Sequence, residues 1–171
     1  MKKIIFVCGV HGAGKGTLSR ALSSNLGIRA YSASDIIKSN SSYVEDSKLV
    51  SSSNNNQLAL IKGLDKITDD NLLLDGHFCL LGRDSSVLNI EYEVFDVIAP
   101  KLIIYVYTEA REIYRRLTER DGEAPNVSTI SKLQEREKSR AVQFSQERDI
   151  MFVSYSSGDS AENLMKVIRN I

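Results

Sequence analysis

Between Gly9 and Thr17 the chain reads GVHGAGKGT, with four glycines, a lysine and a threonine in nine residues. Glycine loses more backbone entropy on ordering than any other residue, so this density implies a backbone that turns sharply or approaches something closely. Successive N–H groups turned inward make a concave nest for an anion. A helix starting where the loop ends adds the positive end of its dipole. Lys15 brings a point charge to the same place, and Thr17 brings a hydroxyl oxygen suited to a hard cation. Together these residue types can hold a chain of phosphates and stabilise a phosphoryl group in transit. The candidate cradle is Gly9, His11, Gly12, Ala13, Gly14, Lys15, Gly16 and Thr17.

The spacing Gly9-x-x-x-x-Gly14-Lys15 is the start of a P-loop, with Gly16 after the lysine and the hydroxyl one residue later. Phosphoryl transfer also calls for Mg2+ and further cations. Asp75 closes the apolar run LLLDG, where it can organise Mg2+ through water together with Thr17, or simply form a turn before Gly76. His77 can contact an acceptor or be structural. Arg116 and Arg120 are four apart and share a helix face, as phosphate ligands or as a solvated, salt-bridged surface. Arg136 and Arg140 repeat the spacing and read as surface, with Glu135 and Glu137 as natural partners. Asp35 can take the proton of an alcohol acceptor, or sit as a carboxylate in the first turn of a helix.

These residues need elements to position them. Ile4 to Cys8 is a short apolar run that predicts a strand buried on both faces. Leu18, Ala21, Leu22 and Leu26 fall at helical spacing, and Gly27 stands where a C-terminal cap belongs. Residues 28–32 predict a second strand, with Ser34 capping a short helix. The serine- and asparagine-rich stretch 39–56 is expected to be a mobile surface segment. A helix over 57–67 and a strand over 72–74 follow, then a weaker helical pattern over 84–98. LIIYVY (102–107) is the clearest strand, leading into a polar helix over 109–120 and a loop with Gly122 and Pro125. Ser131 to Gln134 fits a capping box opening a long charged helix to about Arg148. A strand over 150–153 and a helix starting at Asp159-Ser160 complete the chain. The alternation predicts one α/β domain over residues 1–171, with a five-stranded parallel sheet and helices on both faces. Ligands of such sheets bind beyond the carboxyl ends of the strands, which is where the candidate loops leave.

Bulk properties narrow the class. The 171 residues suffice for one core, and the 22 basic and 22 acidic side chains cancel, which argues against an extended nucleic-acid surface. Cys8 and Cys79 read as two reduced, buried thiols, with no metal-ligand spacing. The apolar run after Met1-Lys2-Lys3 is too short for a signal peptide or membrane span, so the expectation is a cytoplasmic protein with no membrane partner.

The G-K-G-T ending resembles adenylate kinases and related nucleoside monophosphate kinases, and the nearest pattern is the small archaeal-type adenylate kinase. Ser34-Asp35 after the second strand, LLLDGH, PKLIIYVY feeding an arginine-bearing helix, and Ser128-Thr129-Ile130 are similar to that family in order along most of the chain. The resemblance implies a P-loop kinase fold and transfer of the γ-phosphoryl group of Mg·ATP to a nucleoside monophosphate. It implies Lys15, Arg116 and Arg120 as the catalytic charges, and Ser34, Asp35, Lys38 and His77 on the acceptor side. With no room for a separate lid domain, residues 120–130 would serve as a short lid. Lys38 stands where the family has an arginine, and Phe78 and Cys79 where it has a second. Two other readings stand beside it. One is a P-loop kinase of an alcohol, such as a polynucleotide 5′-hydroxyl or a small metabolite, with Asp35 as base. The other is an ATP-binding regulatory ATPase.

Overall fold

The computed structural model describes residues 2–41 and 52–171. Elements run in the order β1 (Lys3–Cys8), α1 (Lys15–Leu26), β2 (Arg29–Ser32), α2 (Ala33–Asn40), α3 (Ser52–Lys66), β3 (Asn71–Gly76), β4 (Cys79–Leu81), β5 (Val87–Asn89), α4 (Tyr92–Ile98), β6 (Leu102–Tyr107), α5 (Ala110–Asp121), α6 (Val127–Glu147), β7 (Met151–Ser156) and α7 (Glu162–Asn170).

β2, β3, β1, β6 and β7 form, in that order, one five-stranded sheet in which every pairing is parallel. Strand residues alternate between two cores, as the two-residue period of a pleated strand requires. Phe6, Leu74 and Tyr105 pack with Ile36, Leu60, Phe95 and Phe144, which come from α2, α3, α4 and α6. Ile5, Val7, Leu73 and Ile104 pack on the other face with Leu18, Leu22, Ile113, Leu117, Leu164 and Ile168, from α1, α5 and α7. Burial on both faces explains why β1, β3 and β6 read as unbroken apolar runs.

The register lines up the carboxyl ends. Cys8 pairs with Gly76 and Tyr105, and Ser32 with Asp75. From β1 the chain goes to the edge strand β2, returns to β3 between the two, then crosses to the other side of β1 for β6 and β7. The order therefore reverses at β1, and the glycine loop leaves the sheet at that switch point.

Several sequence expectations change. Ser32, not Ser34, caps α2, its hydroxyl accepting from the Asp35 N–H. Of the stretch 39–56, residues 42–51 lie outside the described residues, while 39–40 end α2 and 52–56 open α3. The span 84–98 is helical only from Tyr92, because residues 79–89 fold into an antiparallel β4–β5 hairpin whose turn is held by Asp84. α6 starts at Val127, where Asn126 accepts from the Thr129 N–H, so Ser131 lies inside the helix rather than at a capping box. Of residues 120–130 only 122–126 lie between helices.

Candidate functional site

The loop between β1 and α1 passes so close to the ends of β6 and β7 that side chains do not fit. A Cβ on Gly9 would stand 2.4 Å from the Val106 carbonyl oxygen, and one on Gly14 would stand 2.5 Å from Ser157 Oγ. Both positions also have left-handed φ angles, 150° and 107°. The first N–H groups of α1, which have no partner within a helix, open at this loop.

Lys15 is folded into the mouth of the loop with 7% of its surface exposed. Its Nζ donates to the Val10 carbonyl at 3.1 Å and lies 3.9 Å from Asp75 Oδ1. Burial lowers the lysine pKa, opposed by Asp75 and Glu137. Burial raises that of Asp75, with Lys15 opposing and the charge of Asp35 adding to the rise. Asp35, in the first turn of α2, therefore acts electrostatically on the same mouth. Ser34 lies beside it with its hydroxyl 2.9 Å from that of Ser32, and Lys38 is exposed further along α2.

Arg116 and Arg120 share a helix face but do different things. Arg116 Nη1 donates to the Gly12 carbonyl at 3.1 Å and to Ser157 Oγ at 3.3 Å, while its Nε pairs with Glu112 at 2.9 Å. Arg120 forms a two-pronged pair with the adjacent Asp121 at 2.8 Å. Its charge reaches His11, whose pKa is lowered first by burial and then by Lys15 and Arg120. His11, Leu117, Arg120, Asp121, Pro125 and Leu133 line a largely apolar cleft of about 260 Å³ between the loop, α5, residues 122–126 and α6.

His77 braces the cradle from beneath. Its Nδ1 lies 2.7 Å from the Gly9 carbonyl, so that nitrogen carries the proton, and its ring stands 4.3 Å from the His11 ring. Burial, then the charges of Lys15 and His11, push its pKa down to about 3, so the imidazole is neutral. Thr17 is exposed, its Oγ1 accepting from Arg20 at 3.3 Å. Asp75 and Thr17 offer oxygen donors only, the set a hard cation such as Mg2+ takes. A nearby cation would favour the charged form of the partly buried Asp75.

One residue of the site reads on the sequence as surface. Glu137 is fully buried, and instead of pairing with an arginine it accepts three backbone N–H groups. They come from Gly9 at 3.1 Å, Phe78 at 2.9 Å and Cys79 at 2.7 Å. Burial raises its pKa to about 7 despite those donors and Lys15. The signal was present: Ile130, Leu133, Glu137, Ala141 and Phe144 follow helical spacing, which puts the carboxylate on the apolar stripe of α6. Arg136 turns instead to Asn89 at 3.2 Å, and Arg140 to the Ile90 carbonyl at 2.5 Å with its guanidinium over the Tyr92 ring. Cys8 and Cys79 are buried free thiols, both with raised pKa values led by burial.

A glycine cradle at the switch point of a parallel sheet, with a buried lysine in its mouth, defines a P-loop nucleotide-binding domain with a kinase fold. A family model described as AAA domain matches residues 8–134, and the chain belongs to that family. Among solved structures the chain is similar to a shikimate kinase from Bacteroides thetaiotaomicron, at 14% identity over 98% of this chain and 96% of that one, with a TM-score of 0.60. It is also similar to an uncharacterized protein from Eubacterium ventriosum, at 12% identity over 99% and 97% of the two chains, with a TM-score of 0.52. At such identities the likeness is one of fold. No curated protein matches the sequence. Among the described residues no helix is long and apolar enough to cross a membrane.

Proposed function

We propose that the chain is a phosphotransferase that moves the γ-phosphoryl group of Mg·ATP to a small acceptor, a nucleoside monophosphate first. The observation that carries this reading is the convergence at one mouth of the glycine cradle, buried Lys15 beside Asp75, and Arg116 anchored on the Gly12 carbonyl. Residues 9–17 hold the donor phosphates. Asp75 and Thr17 would hold Mg2+, partly through water, and the ion would supply charge neutralisation at the phosphates. Lys15 exchanges the Val10 carbonyl for a phosphate oxygen and follows the migrating group. Arg116 and Arg120 add charge from α5, Arg120 by leaving Asp121. Ser34, Asp35, Lys38 and His77 face the acceptor. Residues 120–130 serve as a short lid that excludes water from the substrates. A monophosphate acceptor is already ionised and needs no base.

A second reading follows from the place of Asp35 in the first turn of α2, three residues beyond Ser32, which pairs with Asp75 in the sheet. An alcohol acceptor there would give its proton to Asp35. One of the similar folds is a shikimate kinase, which supports a small-metabolite acceptor for this reading.

Incubation with Mg·ATP and a panel of nucleoside monophosphates, small hydroxylated metabolites and a 5′-hydroxyl oligonucleotide, with phosphate followed by chromatography, decides between them. A diphosphate product supports the first reading. A phosphorylated alcohol supports the second, and Asp35→Asn then slows transfer by about a hundredfold or more, against a few-fold for a phosphate acceptor. ADP and free phosphate alone overturn both in favour of a regulatory ATPase.

A further inference from the structure

We propose that Glu137 is a positioning residue for the nucleotide site, a buried carboxylate clamp that ties the first residue of the phosphate loop to the segment following Asp75. Its two oxygens are shared among the N–H groups of Gly9, Phe78 and Cys79. Gly9 begins the loop that ends at Lys15, and Phe78 lies three residues after Asp75. The β1–β3 ladder ends at the Cys8–Gly76 pairing, and the clamp ties together the two segments that continue beyond it, one leading to Lys15 and the other leaving Asp75, which stand 3.9 Å apart. The same Gly9 is held on its carbonyl side by His77. Both polar groups of that residue are thus spoken for by side chains, and neither belongs to an element the loop itself forms.

A buried charge is costly, and three backbone donors only partly offset the cost. Its burial raises the pKa to about 7, which marks the carboxylate as unfavourable for folding at neutral pH. A leucine or methionine would suit the apolar stripe of α6 better, but it would leave three buried N–H groups without an acceptor. The groups that act on Glu137 are Lys15 from α1, Cys8 from β1, Cys79 from β4 and Tyr105 from β6. On its own helix Arg136 and Arg140 turn to the β5 side instead. Protonation places an O–H among three N–H donors, none of which accepts it. The clamp then loosens, and the loop with it.

This inference rests on the chain binding Mg·ATP as proposed above, and it is read by binding rather than by transfer. Calorimetry with Mg·ATP on the wild type and Glu137→Gln, between pH 6 and 8.5, gives the ratio of the two affinities and cancels the titration of the nucleotide itself. At pH 8 the amide variant binds about tenfold more weakly, since its NH2 faces a backbone donor. The ratio falls toward one by pH 6, where the wild-type carboxyl is protonated. Equal affinity at pH 8, or a ratio constant across the range, overturns the proposal, because general damage to the fold does not titrate. Should that variant not fold, the wild type alone suffices. The amide resonances of Gly9, Phe78 and Cys79 shift with one common midpoint near neutral pH, and those of Gly12, Gly14 and Gly16 follow it. Loop glycines that do not share that midpoint overturn the proposal even if the three clamped amides titrate together. A wild type that binds no nucleotide sinks the proposed function and leaves this second measurement standing.

Discussion

The proposed transfer depends most on Lys15. Its ammonium is buried, close to one carboxylate and within the field of a second. Lys15→Ala is expected to reduce phosphoryl transfer by about a hundredfold or more, the scale of losing one preorganised charge in a dry site. Circular dichroism should show the fold retained, and a variant with full turnover would remove the mechanism. Glu137 makes a separate prediction about stability. Its folded pKa, about 7, lies above the ordinary glutamate value of 4.5, so its protonated form is the one the fold prefers. The stability it contributes is fully present below the unfolded value and is lost as pH rises through the folded one, by roughly 3 kcal/mol in all. His77 acts in the opposite direction, since its depressed pKa removes stability as pH falls from 6.5 toward 3. The difference in unfolding free energy between the wild type and Glu137→Gln isolates the glutamate. Urea titrations from pH 5 to 8 should show the variant gaining on the wild type as pH rises, and a flat difference would contradict the assignment.

Helix contacts decide how the walls of the site are held. α2 and α3 pack so closely that a Cβ on Gly63 would stand 2.1 Å from Ile36 Cγ2 and 2.8 Å from Asn40 Nδ2. Asn40 is itself buried, donating to the Ile36 carbonyl at 2.8 Å and accepting from Lys66 at 2.7 Å. Gly63→Ala is therefore expected to destabilise the fold by about 1–3 kcal/mol, an overpacking cost that exceeds any gain in helix propensity. Chemical denaturation measures it, and a stabilised variant would show that the two helices separate easily. On the proposed reading, in which Asp35 and Lys38 of α2 face the acceptor, the same substitution should weaken acceptor binding more than donor binding. α5 packs on the opposite face of the sheet, against the glycine loop. Its Leu117 and Ile113 lie against Gly12, and its Arg116 holds the carbonyl of that residue, which ties the helix to the loop.

On the scale of the whole molecule, a ligand that binds only the folded chain must stabilise it. Mg·ATP at a hundred times its dissociation constant should add about 2.7 kcal/mol. For a domain of this size that is a rise in Tm of roughly 5–10 °C. Differential scanning fluorimetry should show the rise in the wild type and much less of it in Lys15→Ala. No shift in the wild type would argue against a nucleotide site in this chain. The effect is global because the loop leaves the central strand β1, flanked by β3 and β6, and every strand of the sheet delivers a loop to the same edge.

The sequence by itself determined the five-stranded parallel sheet and the glycine loop that leaves it. Ile4–Cys8, Leu72–Leu74 and Leu102–Tyr107 announce buried strands because both their faces must be apolar, and the glycines of residues 9–16 announce a loop that only close approach explains. It also brought out Asp75, Asp35 and the arginine pair as candidates, since their spacing follows from local geometry alone. Only the tertiary structure decided what each of them touches. It separated Arg116, seated on Gly12, from Arg120, paired with its neighbour Asp121, although both occupy one helix face. It turned part of an expected helix into the β4–β5 hairpin and moved the start of α6 four residues upstream of the expected capping box, because pairing partners and caps compete with weak local preference. It also made Glu137 an internal ligand of three N–H groups. Charge next to charge in a sequence reads as a salt bridge, and burial, which depends on what packs against α6, is not a local property.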